Sequence, residues 1–310
     1  MKKILTGGII CPLLPSWEDG LLTLTLRRGD KKYRLIADTG SGEQILFSRN
    51  AAANGDTVFG FQQMNIGIVD PHDHTSPAGL LECSENVSLD DELIGSVDEN
   101  NDITDVADGI LGLGPFKLGG SFVPFLFSPS SPQWSSISIS IPSSPKDGAG
   151  KLTFFNHPSL VQPPINFIPV VSDYYWAVDV EHISTLHIAQ PIVAIIDSGS
   201  NIIGLSGGIY ERVREHVQNN LCKTKSDLEI EIQGSGGNSF AIHIRPDQYL
   251  LGNSCDDLAI SRIDSSRFGD VSSKQVVILG TRSLAGMHVG IHRSVLGSEN
   301  AVGRFYVSLN

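Results

Sequence analysis

Basic residues are scarce in this 310-residue chain: 22 Lys and Arg stand against 34 Asp and Glu, for a formal net charge of -12. A surface that tracks phosphates needs Lys and Arg in excess, so nucleic acid is not an expected partner. The deficit is also local. Between Arg49 and Lys117 there is no Lys or Arg, while Asp56, Asp70, Asp73, Glu82, Glu85, Asp90, Asp91 and Glu92 all fall within that stretch. Repulsion among carboxylates eases as they protonate, which points to an acidic working place; an acidic surface kept for solubility is the plain alternative. Long apolar runs are missing as well. No segment approaches the ~18 apolar residues that a membrane helix needs, so no span is expected. The beginning, Met1-Lys2-Lys3 and then ILTGGIICPLLP, has a basic flank, but Gly7, Gly8 and Pro12 break its apolar run. It reads as a mature-like start without its targeting or pro-segment rather than as a secretory signal.

Helical periodicity is the third thing in short supply. One clear helix is predicted, Gly207 to Gln218, with Ser206 as its N-cap and Ile209, Val213 and Val217 four apart on one face. Elsewhere 32 Gly and 16 Pro punctuate short runs that alternate apolar and polar residues: Leu21 to Leu26, Met64 to Val69 and Ser136 to Ile141. That period of two belongs to half-buried strands, and the fold class expected is all-β with short accessory helices. The Ser- and Pro-rich stretch Ser128 to Pro145 carries the Ile137, Ile139, Ile141 alternation and is followed by KLTFF, so a hairpin is predicted there. A Pro-marked passage, His157 to Pro169, is taken as the crossing between an N-terminal lobe, 1–164, and a C-terminal lobe, 165–310.

The division into lobes rests on a repeat. LIADTGSG (Leu35 to Gly42) and AIIDSGSN (Ala194 to Asn201) share an apolar run, an Asp, a hydroxyl residue, a Gly and a Ser. A single Asp-Thr/Ser-Gly is a weak signal, but two with matching flanks are a strong one. Each is followed at a distance by two aliphatics and a Gly, in GILGLG at Gly109 to Gly114 and in VVILGTRSL at Val276 to Leu284, which is an internal duplication. The chemistry explains the residue types. An apolar strand carries Asp38 or Asp197 into a poorly hydrated site, and Gly40 and Gly199 permit a tight turn and close approach. Thr39 and Ser198 have hydroxyls short enough to bond across a pseudo-twofold axis, while Ser41 and Ser200 are expected to donate to the outer carboxylate oxygens. Two carboxylates in contact share one proton over a wide acidic range, leaving one base and one acid to act on water.

In these residues the chain resembles the pepsin-type aspartic peptidases, bilobal all-β endopeptidases with one catalytic Asp per lobe. The resemblance runs from Leu21 onward and includes DGILGLG (Asp108 to Gly114), GKLTFFN (Gly150 to Asn156), YYWAVDVEHI (Tyr174 to Ile183) and VILGTRSLAGMHVGIHRS. It implies that Asp38 and Asp197 are the catalytic pair, that Ile36, Ile110, Tyr175 and Ile195 line substrate pockets, and that Ile110-Leu111-Gly112 and Ile278-Leu279-Gly280 cross beside the catalytic loops. It also implies a disulfide between Cys222 and Cys255, hence an oxidising compartment: the secretory pathway, outside the cell or in an acidic vacuole or lysosome. Cys11 and Cys83 match no bridge of the family, leaving them to pair with each other or to stay free. Asn86-Val87-Ser88 is a weak glycosylation sequon.

The pattern departs from the family in the first lobe. The spacing from Asp38 to Asp197 is short for the family, and the substrate-covering hairpin carries His72, Asp73 and His74 at its tip where the family has a Tyr followed by a Gly. The Trp that supports that Tyr is replaced by Ile45. One of these histidines, charged at acid pH, stands in for the Tyr as a donor, or both are solvated loop residues. An H-x-H tip without a third ligand gives no metal site. The activity implied is hydrolysis of polypeptide substrates at acidic pH by a monomer with no cofactor, inhibited by a pepstatin-like compound. The alternative is a pepsin-like binding or inhibitory module with weak or no catalysis.

Overall fold

In the computed structural model the described residues are 9–16, 20–28, 31–42, 44–51, 57–63, 66–67, 82–83, 107, 109–115, 136–155, 167–184, 186, 188, 191–234, 237–252, 254–293 and 305–309. Strands dominate them. The first ten are β1 (Ile9–Ser16), β2 (Leu21–Arg28), β3 (Lys31–Asp38), β4 (Gln44–Ala51), β5 (Thr57–Gln63), β6 (Ile66–Gly67), β7 (Glu82–Cys83), β8 (Gly109–Gly112), β9 (Ser136–Ser140) and β10 (Gly150–Phe155). Ten more follow: β11 (Phe167–Pro169), β12 (Ala177–Ile183), β13 (Ile192–Ile196), β14 (Ile203–Ser206), β15 (Leu228–Gln233), β16 (Ser239–Ile244), β17 (Ile260–Ile263), β18 (Gln275–Leu279), β19 (His288–Arg293) and β20 (Phe305–Leu309). The protein is mostly β, as its alternating runs predict.

The duplication seen in the motifs recurs in the strand order. The first half runs β2-β3-β8-β4-β5 and the second β12-β13-β18-β14-β17. In each, the Asp-bearing strand pairs in parallel with the aliphatic strand (β3 with β8, β13 with β18), which pairs antiparallel on its other side with β4 or β14. Parallel strands buried on both faces read as unbroken apolar runs. Residues Ile192 to Ile196 of β13 are accordingly all buried.

Among the described residues the second half has its own seven-stranded sheet, β16-β15-β12-β13-β18-β14-β17, but not all of its strands belong to it. Strands β11, β19 and β20 from the second half join β9, β10 and β1 from the first, in the order β11-β20-β19-β9-β10-β1, and β1 continues into β2. The predicted hairpin is present, with β9 antiparallel to β10 and Ser140 opposite Lys151. The expected lobe boundary at 164/165 lies outside the described residues, and Phe167–Pro169, read from the sequence as part of a crossing, forms β11 against β20. Of the expected strand Met64 to Val69, only Ile66–Gly67 is described.

Helix α1 (Gly207–His216) buries Ile209 and Val213, and Val217 is buried at the start of the π-helical turn Val217–Leu221 that follows. The expected face is correct but the expected cap is not. Ser206 makes no capping bond because its hydroxyl donates to Gln275 Oε1 at 2.9 Å and accepts the Val276 N–H at 2.9 Å, tying β14 to β18. Beyond the π turn, Cys222 is disulfide-bonded to Cys255 with Cα atoms 5.8 Å apart. Closing that loop removes about 4 kcal/mol of chain entropy from the unfolded state. The side chains of Cys11 and Cys83 lie outside the described residues, as does the sequon at Asn86.

His292 of β19 is only 7% exposed, with Ser136 opposite it on β9 and Tyr306 on β20. Burial pushes its pKa down from 6.5 to about 4. The unfolded chain therefore binds a proton below pH 6.5 that the folded chain refuses until about pH 4. Stability falls across that window by about 3 kcal/mol from this residue alone. In His292→Gln that pH-dependent loss is expected to vanish. Urea titrations at pH 6.5 and pH 4 check it, and equal losses in wild type and variant would rule it out.

Candidate functional site

Asp38 ends β3 and Asp197 follows β13, so each carboxyl is delivered by an apolar strand whose residues are locked in the core: Leu35, Ile36 and Ala37 on one side, Ala194, Ile195 and Ile196 on the other. The neighbouring strand then fixes each loop. Leu113 N–H donates to the Asp38 carbonyl at 2.6 Å and Gly114 N–H to the Ser41 carbonyl at 2.7 Å. In the second half Asp197 N–H donates to the Leu279 carbonyl at 3.1 Å and Thr281 N–H to the Ser200 carbonyl at 2.7 Å. The elements Ile110-Leu111-Gly112 and Ile278-Leu279-Gly280 thus run beside the two loops.

The loops are bolted face to face by their hydroxyls. Thr39 Oγ1 donates to the Ile196 carbonyl at 2.8 Å and Ser198 Oγ to the Ala37 carbonyl at 2.6 Å. Each hydroxyl also accepts the opposite backbone N–H, Thr39 N–H to Ser198 Oγ at 3.1 Å and Ser198 N–H to Thr39 Oγ1 at 2.8 Å. All four bonds are buried, so each hydroxyl has both a donor and an acceptor role filled without water.

This lock sets the carboxyls of Asp38 and Asp197 face to face, each against the glycine of the opposite loop and close enough for the charge of Asp197 to act on Asp38. Gly40 N–H donates to Asp38 Oδ1 at 2.7 Å and Gly199 N–H to Asp197 Oδ1 at 3.0 Å. The Ser200 N–H donates to the Asp197 main-chain carbonyl at 3.2 Å, and the N–H dipoles of Ser41 and Ser200 help to hold the carboxyls of Asp38 and Asp197 down. The Ser200 hydroxyl, expected to donate to the outer carboxylate oxygen, instead accepts the Ile202 N–H at 3.4 Å. Burial pushes both carboxyls up from their ordinary value, Asp38 furthest because the charge of Asp197 adds to it, while the backbone donors hold them partly down. Such a pair holds one proton between two sites.

The expected pocket residues divide. Ile36 clusters with Leu21 and Ala107, and Ile195 with Ala177, Val193, Val271 and Val276; both are buried. Ile110 and Tyr175 are partly exposed at the rims of those clusters. The Tyr175 ring meets Phe268 edge-on at 5.6 Å, and its hydroxyl pKa is raised by burial and then by the charges of Asp270 and Asp197. Its loop is held by Asp270, which accepts from Ser172 Oγ at 2.7 Å and from Asp173 N–H at 2.8 Å. His72 and Asp73 lie outside the described residues. Among the described residues no three His, Cys, Asp or Glu side chains are grouped to hold a metal ion, and no helix is long and apolar enough to cross a membrane.

One participant was missed by sequence reasoning: Trp176, fully buried, whose indole N–H donates to the Leu113 carbonyl at 2.7 Å. Its signal was a large side chain with a polar tip placed at the start of a core strand, a combination that demands a buried acceptor. No protein-family model and no curated protein matches this chain.

Proposed function

We propose that this protein is an aspartic endopeptidase of the pepsin-like, bilobal kind, hydrolysing peptide bonds in extended polypeptides at acidic pH. The observation that carries the reading is the facing pair Asp38 and Asp197, each carboxyl held by a Gly N–H in a duplicated loop and the two loops clamped together by Thr39 and Ser198. Paired carboxyls with raised and divergent affinities for one proton form an acid and a base in the same site. One carboxyl of the pair holds the shared proton and passes it to the scissile carbonyl oxygen. The other, ionised, takes a proton from water as that water adds to the carbonyl carbon. Collapse of the resulting tetrahedral diol passes a proton to the departing amine and breaks the C–N bond, without a covalent enzyme intermediate. Asp38 and Asp197 complete this cycle between them, and no residue described here is asked to hold a cofactor. The Cys222–Cys255 disulfide fits an oxidising compartment.

The test is cleavage of an unfolded polypeptide by the purified protein between pH 3 and 6, with inhibition by a statine-type mimic of the tetrahedral diol. Such a mimic binds far more tightly than substrate when the site is complementary to the transition state. Protein that neither cleaves nor binds the mimic over this range overturns the reading in favour of a binding module.

A further inference from the structure

Four hydrogen bonds and one stretch of main chain form a closed circuit through the site. Trp176 Nε1–H donates to the Leu113 carbonyl at 2.7 Å. Leu113 N–H donates to the Asp38 carbonyl at 2.6 Å. The chain passes from Asp38 to Thr39, whose Oγ1 donates to the Ile196 carbonyl at 2.8 Å. Ile196 N–H, one residue before Asp197, returns to the Trp176 carbonyl at 3.1 Å. Trp176 is thus bonded through its ring to the strand that grips Asp38 and through its backbone to the strand that carries Asp197.

The two halves are unlike here. Register aligns Thr23, opposite Ile36, with Ala177, opposite Ile195. Leu22 therefore occupies in the first half the place that Trp176 occupies in the second. A leucine side chain has no donor, so the second half reaches across to brace the loop of the first, and no side-chain bond of the same kind reaches back from Leu22. The second loop is braced locally instead: Thr281 Oγ1 donates to the Ser198 carbonyl at 2.9 Å.

We infer that Trp176 is a positioning residue for the carboxyl pair, its indole N–H holding the Leu113–Gly114 segment so that the Asp38 loop presents its backbone donors to the carboxyl. The inference rests on the catalytic reading above for its kinetic consequence but not for its structural one. Leu113 and Gly114 together hold both ends of the loop, at the Asp38 and Ser41 carbonyls. If the segment loosens, Gly40 and Ser41 lose alignment with the Asp38 carboxylate, and the ionised form loses stabilisation.

Trp176→3-benzothienylalanine, in which sulfur replaces the ring N–H at nearly constant shape, tests this without opening a cavity; Trp176→Phe, losing volume as well, is the comparison. Aspartate carboxyl carbons are followed by 13C NMR from pH 2 to 8, alongside the pH dependence of kcat and KM on an unfolded polypeptide. Loss of one buried hydrogen bond is expected to lower kcat about tenfold with KM unchanged, and to move the titration of the pair upward by roughly 0.5–1 unit. The acid limb of the kcat profile moves with it, a change that a merely structural tryptophan does not produce. An isosteric variant whose pair titrates as in wild type overturns the inference, whatever its melting temperature. Absence of hydrolysis in the wild type would instead strike the catalytic reading, and the NMR titration still decides the role of Trp176.

Discussion

Asp38→Asn and Asp197→Asn are each expected to lower kcat by about 10⁴-fold, the scale of loss when one member of an interdependent catalytic set is removed. On the proposed reading, the carboxamide cannot take or give the proton that the pair would exchange with water, while the fold persists, so KM should change little. Stability is expected to move the other way. In the folded chain burial raises the pKa of both carboxyls, Asp38 further by the charge of Asp197. The folded state therefore binds protons more tightly than the unfolded state, so this pair favours folding at low pH, and its support is lost as pH rises through the raised values. An Asn at either position removes the cost of holding that charge, so the variants should melt higher than wild type at pH 7, with the difference shrinking toward pH 3. Calorimetry at the two pH values, paired with progress curves on an unfolded polypeptide, reads both effects. Retained turnover in either variant would show that the pair is not the chemical centre.

Gly40→Ala and Gly199→Ala are expected to cost at least about 100-fold in kcat, the loss that follows when reacting groups are displaced by about 1 Å. A methyl on Gly40 would lie 2.5 Å from Asp197 Cγ, and one on Gly199 would fall on the carboxyl of Asp38. Each glycine thus makes room for the carboxyl of the other half. Neither has a left-handed backbone, so alanine meets no conformational penalty and the damage is confined to the opposing carboxyl. Gly252→Ala, whose new methyl would come no closer than 3.7 Å to Asp257, is the control and should leave kcat unchanged. If the three alanine variants turn over alike, close approach across the two halves is not what those glycines serve.

Much of this was legible in the residues. Alternation located β2 and β9, and the spacing of Ile209, Val213 and Val217 named the buried face of α1, because periodicity reports directly on which side chains meet the core. The duplicated motif gave both carboxyls, both glycines and the exchange of hydroxyl bonds by Thr39 and Ser198. Partners at long range were not legible. Alternation says that Ser136 to Ser140 has an inward face, but not that its neighbour will be His288 to Arg293 from the far end of the chain. The same blindness affected Ser206, which has the chemistry of a cap but is occupied by Gln275, and Ile36 and Ile195, whose position beside the aspartates suggested pocket walls but which are buried in their own clusters. Trp176 escaped notice because its acceptor, a main-chain carbonyl, leaves no mark in the sequence.

The sheet order β11-β20-β19-β9-β10-β1 also sets a timetable. Its strands include Ile9–Ser16 and Phe305–Leu309, which are the most widely separated in sequence of the described strands, so it cannot close by local pairing alone. Contacts of such long sequence separation form slowly. The docking of β19 and β20 against β9 is therefore expected to be a late step of folding, after the local hairpin of β9 and β10 has formed.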